Sequence, residues 1–440
     1  MAVTSSEPPR PSLVLRFADV GVATYASLRV VGRPERTLTW VIEEPLLLAA
    51  LEELAGALPE PKPGETVADA LGRALAAGPF AAQPSELTLA YRLGVLLVSD
   101  PAWALLQEFV AAPRAVLFVS PTARLARVPW GLLALPAIRP PAEALLQARV
   151  AAITPTGPSA ARIPWPSGDT GSLTEGYRLM ELVDVLMAVP ANIVHSPRPR
   201  AAWTERAERP PLLVLDPRVP GQRADSALGS VLGRPSPDAT LARHFAATIA
   251  HGPVLPPVAE AVELFRRTDA DWNWLSARLA DGPSRLLYVG HATSAESGSA
   301  DQAALYLADH RPLTASDVMS LQLPMPPRVA LLACASGGDY RFDEATGLVA
   351  AVVLGGAQLV TATLWTLPTT AGYRQFTNHV EADPMADVVV AVDAAHQAVD
   401  AGCEVNRWQR DQMRRWRSGE TTANPVYWAA LVTFAVDGVR

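Results

Sequence analysis

The stretch SRLLYVGH, residues 284–291, decides the fold. Apolar side chains run into a glycine and a histidine, which predicts a short strand buried on both faces that ends on a group able to move protons. Short apolar strands that alternate with helical patterns are typical of a doubly wound α/β domain with a mainly parallel sheet. The other runs of this kind are RAVLFVS (114–120), PLLVLD (211–216), PRVALLAC (327–334) and QLVTATLW (358–365).

The first hundred residues follow a different pattern. Partial alternation and the turn signal VGRPE predict two or three antiparallel strands over residues 13–42. Helical patterns follow at 43–58, 67–78 and 86–98. We therefore expect a small α+β region before the main sheet.

Composition excludes several classes of function. The 440 residues suggest two or three domains, and the net charge of −7 gives no general attraction to nucleic acid or to an anionic membrane. The first residues lack the pattern of a secretory signal, and no stretch approaches the apolar length of a membrane span, so we expect a cytoplasmic protein. Cys334 and Cys403 are too few for a disulfide framework, and the histidines show no metal-ligand spacing. We expect neither a metal nor a cofactor.

Three predicted strands end on residues that could catalyse a reaction or line a binding site. His291, Cys334 and Trp365 follow the strands that begin near residues 284, 327 and 358. Since ligands bind beyond the carboxyl ends of the strands in open α/β sheets, the three side chains could share one crevice. Taken singly, a cysteine or histidine at a strand end is more often structural. Taken as a pair, an imidazole beside a thiol favours nucleophilic catalysis, and both readings stay open on these residues alone.

Several segments together resemble one known family. LLYVGHATS, PRVALLACASGG, TGLVAAVVLGGAQLVTATLWTLP and NPVYWAALVTFAVDG are similar to the CHAT domain, a bacterial family of caspase-like cysteine peptidases related to caspases, separases and gingipains. AVLFVSPTARLARVPWGLLAL and HRPLTASDVMSLQL extend the resemblance upstream. It implies a caspase-like domain over residues 86–440, with the catalytic half at about 255–440, preceded by an N-terminal α+β region over 1–85.

The resemblance also implies a His–Cys dyad. His291 then acts as general acid and base, Cys334 attacks a peptide carbonyl, and the backbone amides of Ala292 and Cys334 hold the oxyanion. Ala292 stands where many relatives have glycine, and Pro368 stands where relatives often carry an acidic residue. The first departure keeps an amide donor but removes the backbone freedom of glycine.

Substrate preference is inferred from the loop after the cysteine. Asp339 and Trp365 are the predicted substrate-binding residues, because a carboxylate near the nucleophile favours Arg or Lys in the substrate and an indole forms an apolar wall. The opposite preference would need a basic group, for which Arg341 is the local candidate.

Partners and alternatives complete the prediction. We expect a protein or peptide substrate and a regulatory or effector protein partner in a bacterial defence or programmed response, with no nucleic acid and no membrane. One alternative is a catalytically silent caspase-like scaffold that binds other proteins. The other is a thiol hydrolase or acyltransferase that acts on a small molecule, since sheet topology does not determine the substrate class.

Overall fold

The structure is a computed structural model. It describes residues 10–21, 23–110, 114–153, 165–166, 169–199, 201–223, 228–293, 299–338, 347–436 and 438–439.

The strands lie close to where the apolar runs predict them. In chain order they are β1 (Ser12–Asp19), β2 (Ala23–Val30), β3 (Arg33–Glu43), β4 (Val116–Ser120), β5 (Ala134–Pro136), β6 (Thr174–Arg178), β7 (Asp184–Ala188), β8 (Leu212–Leu215), β9 (Arg285–Val289), β10 (Ala292–Thr293), β11 (Ala304–Leu305), β12 (Leu313–Thr314), β13 (Arg328–Leu332), β14 (Leu359–Thr363) and β15 (Leu431–Ala435).

The helices separate these strands. They are α1 (Glu44–Ala57), α2 (Val67–Gly72), α3 (Gln83–Leu97), α4 (Asp100–Gln107), α5 (Ala142–Ile153), α6 (Leu179–Leu182), α7 (Ala191–Val194), α8 (Trp203–Arg206), α9 (Thr240–His251), α10 (Trp272–Ala280), α11 (Ala315–Ser320), α12 (Leu348–Leu354), α13 (Thr370–Phe376), α14 (Pro384–Ala395), α15 (Ala401–Arg417) and α16 (Pro425–Trp428).

The chain forms two compact units. The first consists of Met1–Glu53, Leu87–Pro121 and Trp130–Leu186. Its strands lie in the order β3-β2-β1-β4, with β1, β2 and β3 antiparallel and β4 parallel to β1. The antiparallel strands predicted over residues 13–42 are therefore confirmed. Alternating burial along β2 places Ala26, Leu28 and Val30 in the core.

The second unit carries the main sheet. It consists of Leu54–Glu86, Thr122–Pro129 and Met187–Arg440. Its strands lie in the order β15-β14-β13-β9-β8, and the last two residues of β7 pair with β15. All these pairs are parallel except β14 with β15. Every residue of β8, β9, β13 and β14 is buried, as expected for strands covered on both faces. The predicted mainly parallel α/β sheet is confirmed.

Helix caps show why the connecting helices begin where they do. The Asp271 side chain accepts a hydrogen bond from the amide of Trp274 at 2.8 Å, which caps α10 immediately before the histidine strand. Asp383 caps α14 in the same way through the amide of Ala386 at 3.0 Å. Each cap supplies a partner for an amide that has none within the helix.

The residues before Leu87 are divided between the two units. Leu54–Glu86 belongs to the same unit as the main sheet. Phe80 packs against Trp365 with ring centroids 6.0 Å apart, and the side chain of Asn424 donates to the Phe80 carbonyl at 3.1 Å. These contacts join residues far apart in sequence, so local patterns carry no signal for them.

No single described helix is both long and apolar enough to cross a membrane. One bent pair, α3 with α4, meets the length and composition only when the two are taken together, and their axes differ by 105°.

Candidate active site

His291 and Cys334 follow two neighbouring strands. Strands β9 and β13 are parallel, and Val289 at the end of one lies opposite Leu332 at the end of the other. Each candidate residue lies two positions beyond its strand, so matched register brings the two to the same edge of the sheet. Both side chains are partly exposed.

The amide of Ala292 lies near the thiol of Cys334 and lowers its pKa. This amide is available because of how β10 pairs with β11. The amide of Tyr306 donates to the His291 carbonyl at 3.0 Å, which makes Ala292 and Leu305 a pair without mutual hydrogen bonds in the antiparallel ladder. The Ala292 amide therefore points out of the ladder, toward the sulfur.

The ring of His291 is held by a backbone carbonyl. Its Nε2 lies 2.9 Å from the carbonyl oxygen of Gly229. A carbonyl oxygen only accepts, so Nε2 carries the hydrogen, and in the neutral imidazole Nδ1 is the ring nitrogen with a lone pair. The backbone of His291 is held as well, since the hydroxyl of Tyr288 lies 2.7 Å from the His291 carbonyl and 2.8 Å from that of Tyr306. Local patterns give no signal for Gly229.

A tight turn follows the cysteine. Ala335 has a φ of 47°, a left-handed conformation that is costly for a residue with a Cβ. Ser336 is buried, and its hydroxyl donates to the Leu331 carbonyl and accepts from the amide of Thr363 at 3.2 Å. The Gly337 amide donates to the Thr363 carbonyl at 2.9 Å. These bonds fasten the turn to the neighbouring strand β14.

The surroundings of Cys334 disfavour the thiolate, which is the reactive form of its side chain. Burial raises its pKa above the ordinary value, and the negative charge of Glu60 acts in the same direction. Hydrogen bonds from the Thr366 hydroxyl and from the amides of Ala292 and Cys334 itself offset part of this rise. The resting residue is therefore a thiol at neutral pH, and attack on a carbonyl requires a base to take its proton.

Glu60 and Thr366 are site residues that the sequence patterns do not indicate. The amide of Thr366 donates to Glu60 Oε1 at 2.9 Å. The backbone near Glu60 is held by Arg73, whose guanidinium donates to the carbonyls of Gly56, Leu58 and Glu60 at 3.0, 2.8 and 3.0 Å. A glutamate in a proline-rich stretch, PEPKPGE, has no sequence feature that would link it to a cysteine far along the chain.

The family of the chain follows from comparison with known protein families. The model of the CHAT domain matches residues 67–435. The chain belongs to the CHAT family. The sequence resemblance is thereby confirmed, and the match begins before the predicted domain start at residue 86.

Similarity to solved structures is weak. Two crystal structures of the Saccharomyces cerevisiae separase–securin complex, at 2.6 and 3.0 Å resolution, each match with a TM-score of 0.43 and 12% sequence identity. The match covers 97% of this chain and 30% of the separase chain, so the chain spans about a third of its length. A score this low does not by itself establish a shared fold. No curated protein matches the chain significantly.

The structure places Trp365 in the core of the CHAT domain. The sequence predicts it as an apolar wall for the substrate, but its side chain is fully buried. Its indole N–H donates to the Val426 carbonyl at 2.8 Å, and its ring packs against Phe80. The indole belongs to the core and lines no accessible site in this structure.

The acidic loop after the cysteine lies outside the described residues. This applies to the predicted substrate-binding residue Asp339 and to Arg341, Asp343 and Glu344. Within the part of the CHAT domain that the structure describes, no group of three or more His, Cys, Asp or Glu residues could hold a metal ion. Cys403, the second cysteine, is buried in α15.

Proposed function

We propose that this CHAT domain is a cysteine endopeptidase whose catalytic dyad is His291 and Cys334. One observation supports this most directly: the matched register of β9 and β13 brings His291 and Cys334 to the same edge of the sheet, where the amide after His291 lowers the pKa of the Cys334 thiol. Nucleophile and imidazole are then neighbours, and the carbonyl on Nε2 leaves Nδ1 as the basic atom.

In the proposed reaction, His291 Nδ1 takes the Cys334 proton as the sulfur attacks the peptide carbonyl carbon. The oxyanion of the tetrahedral intermediate accepts hydrogen bonds from the amides of Ala292 and Cys334. His291 then returns the proton to the departing amine, which leaves an acyl group on the sulfur. Water, deprotonated by His291, attacks this thioester, releases the carboxylic acid and regenerates the thiol.

The substrate and setting of this activity are further parts of the proposal. The substrate is a protein or peptide, and we propose that Asp339 binds a basic side chain of that substrate. We propose a cytoplasmic enzyme that a separate protein regulates, in a bacterial defence or programmed response. A resting thiol with a raised pKa supports such latency, because little thiolate is present until the site changes.

A proteome-derived peptide library tests the activity. The purified protein is incubated with the library, and new N-termini are identified by mass spectrometry. Wild type alone should cleave weakly at a defined set of sites and Cys334→Ala at none. Cys403→Ala, the matched control that removes the other thiol, should cleave at the wild-type sites because that cysteine is buried in a helix.

The outcomes separate the alternatives. Cleavage that survives Cys334→Ala would rule out the proposed nucleophile. Absence of cleavage, together with absence of acyl transfer to the thiol from peptide thioesters, favours the silent scaffold. Strong cleavage by the purified protein without additions would contradict the regulatory part of the proposal and leave the dyad in place.

A further inference from the structure

The starting observation is a buried carboxylate with an unusual set of donors. Asp216 directly follows β8 and is fully buried. Its Oδ2 accepts from the Ser230 hydroxyl at 2.8 Å and from the amides of Val231, Leu232 and Gly233, each at 3.1 Å. One carboxylate oxygen thus accepts hydrogen bonds from four consecutive residues, 230–233, and holds their backbone in a turn.

The second oxygen of the same carboxylate forms an ion pair with an arginine side chain. Arg266 Nη1 lies 3.1 Å from Asp216 Oδ1 and donates to the Gly229 carbonyl at 3.2 Å. The Arg266 amide in turn donates to the Leu215 carbonyl at 3.2 Å, at the end of β8. A charge-assisted pair in a buried place is geometrically demanding, so it restricts where the Gly229 carbonyl can lie.

That carbonyl is the one that holds His291. Asp216 is therefore connected to the imidazole of His291 by two routes through the Gly229 carbonyl. One is the Arg266 guanidinium, which donates to that carbonyl, and the other is the turn that begins at Ser230, the residue after Gly229. Every contact on both routes joins residues of the second unit.

Backbone conformation indicates that this arrangement is enforced. Asp216 and Arg266 have φ values of 50° and 54°, in the left-handed region that residues with a Cβ avoid. Such conformations persist only where surrounding contacts over-determine them, and they concentrate at functional sites. Both partners of the ion pair therefore have a left-handed backbone.

We propose that Asp216 is a positioning residue for His291. Its carboxylate holds the Gly229 carbonyl in place, and that carbonyl keeps Nε2 protonated and leaves Nδ1 as the acceptor of the thiol proton. The catalytic meaning of this role rests on the proposed peptidase function, whereas the control of the imidazole tautomer stands without it. A purely structural Asp216 would affect stability alone.

The test measures the tautomer directly. Protein labelled with ¹⁵N-histidine is examined by two-bond ¹⁵N–¹H correlation NMR, and the His291 signals are assigned by their loss in His291→Ala. Wild type should show a predominant Nε2–H tautomer. Asp216→Asn, which replaces one acceptor oxygen by an NH₂ group, should raise the Nδ1–H fraction several-fold. In the same variant the pH profile of Cys334 alkylation should shift toward that of His291→Ala.

Asp393→Asn is the matched control. Asp393 is also buried and paired with an arginine, Arg285, at 3.0 Å, but this arginine lies at the start of β9 rather than at its end, and a further partner, His244, lies in α9. This variant should lose stability while the His291 tautomer and the Cys334 profile stay as in wild type.

A milder pair keeps the test decisive if Asp216→Asn does not fold. Ser230→Ala removes one donor to Asp216, and Thr433→Val removes a buried hydroxyl that lies 3.1 Å from the Thr361 hydroxyl. Ser230→Ala should shift the tautomer in the same direction by a smaller amount, and Thr433→Val should not.

Two results would overturn the inference. One is a wild-type tautomer in folded Asp216→Asn, or in Ser230→Ala if Asp216→Asn does not fold. The other is an equal change in the control variants, which would assign the effect to general destabilisation. Neither result bears on whether the wild-type protein cleaves peptides, so failure of this inference and failure of the peptidase proposal remain distinguishable.

Discussion

The amide of Ala292 lowers the pKa of the Cys334 thiol, and the two residues follow the neighbouring strands β9 and β13. The residue after the histidine and the cysteine are therefore close together, although they are far apart in the chain. This proximity makes the reactivity of Cys334 a sensitive measure of the whole site.

Alkylation of Cys334 by iodoacetamide should depend on His291. Because burial raises the pKa of this thiol, the rate should continue to rise above pH ~8.5, the pKa of an ordinary thiol. His291→Ala should slow the reaction near neutral pH and leave the rate at high pH unchanged, since the base is needed only while the thiol is protonated. Buried Cys403 is the internal control and should react slowly throughout. Equal rates in wild type and variant would mean that the two residues are not coupled.

Two neighbours of Cys334 should shift its pKa in opposite directions. Thr366→Val removes a hydrogen bond that lowers the pKa, so alkylation near neutral pH should become slower. Glu60→Gln removes a negative charge that raises the pKa and keeps an acceptor for the Thr366 amide, so alkylation should become faster. Mass spectrometry of the labelled peptide measures both rates. Shifts of the same sign would contradict this account of the thiol.

Gly290→Ala should disturb the strand that carries His291. A Cβ at this position would lie 2.8 Å from the Tyr288 hydroxyl and 3.0 Å from its ring, and Tyr288 is buried. We expect a loss of about 1–3 kcal/mol in the free energy of unfolding, measured with urea.

Gly252→Ala is the matched control for this substitution. A Cβ at Gly252 meets nothing within 4 Å, and its φ of −177° is open to any residue. Its free energy of unfolding should stay within about 0.5 kcal/mol of wild type. An equal loss in both variants would show that crowding at Tyr288 is not the cause.

Acid should destabilise the protein through a buried histidine. Burial, followed by the charges of Arg328 and Arg285, lowers the pKa of His396 from 6.5 to about 3. Below pH 6.5, His396 is therefore protonated in the unfolded chain but stays neutral in the folded protein. The free energy of unfolding is highest above that pH and falls below it. The expected loss is roughly 1.4 kcal/mol per pH unit, or about 2 kcal/mol at pH 5.

Urea denaturation at pH 7 and pH 5 measures this effect. His396→Gln should reduce the loss of stability between the two values, because glutamine does not titrate. His195→Gln, at an exposed histidine, is the control and should behave like wild type. An unchanged pH dependence in His396→Gln would assign the acid sensitivity to other groups.

Local pattern was enough to find the strands and the dyad candidates. Apart from Arg285 and Arg328 at their first positions, the strands that end near His291 and Cys334 are apolar, and such runs are buried on both faces of a parallel sheet. Adjacent parallel strands then bring their ends together whatever connects them. Pattern failed at Trp365, because the position of a strand end does not determine which way the next side chains turn. The contacts that bury Trp365, with Phe80 and Val426, come from distant segments.

The sequence by itself determined the α/β class, the family and the two residues at the strand ends, because apolar periodicity and short motifs are local properties. Only the tertiary structure decided what surrounds those residues. Glu60 and Asp216 reach the site through hydrogen bonds to backbone amides outside their own segments, that of Thr366 for Glu60 and that of Val231 for Asp216. A backbone amide or carbonyl is the same in every residue, so such contacts leave no signature in the amino acid that makes them. The partners of Cys334 and His291 become known only when the chain is folded.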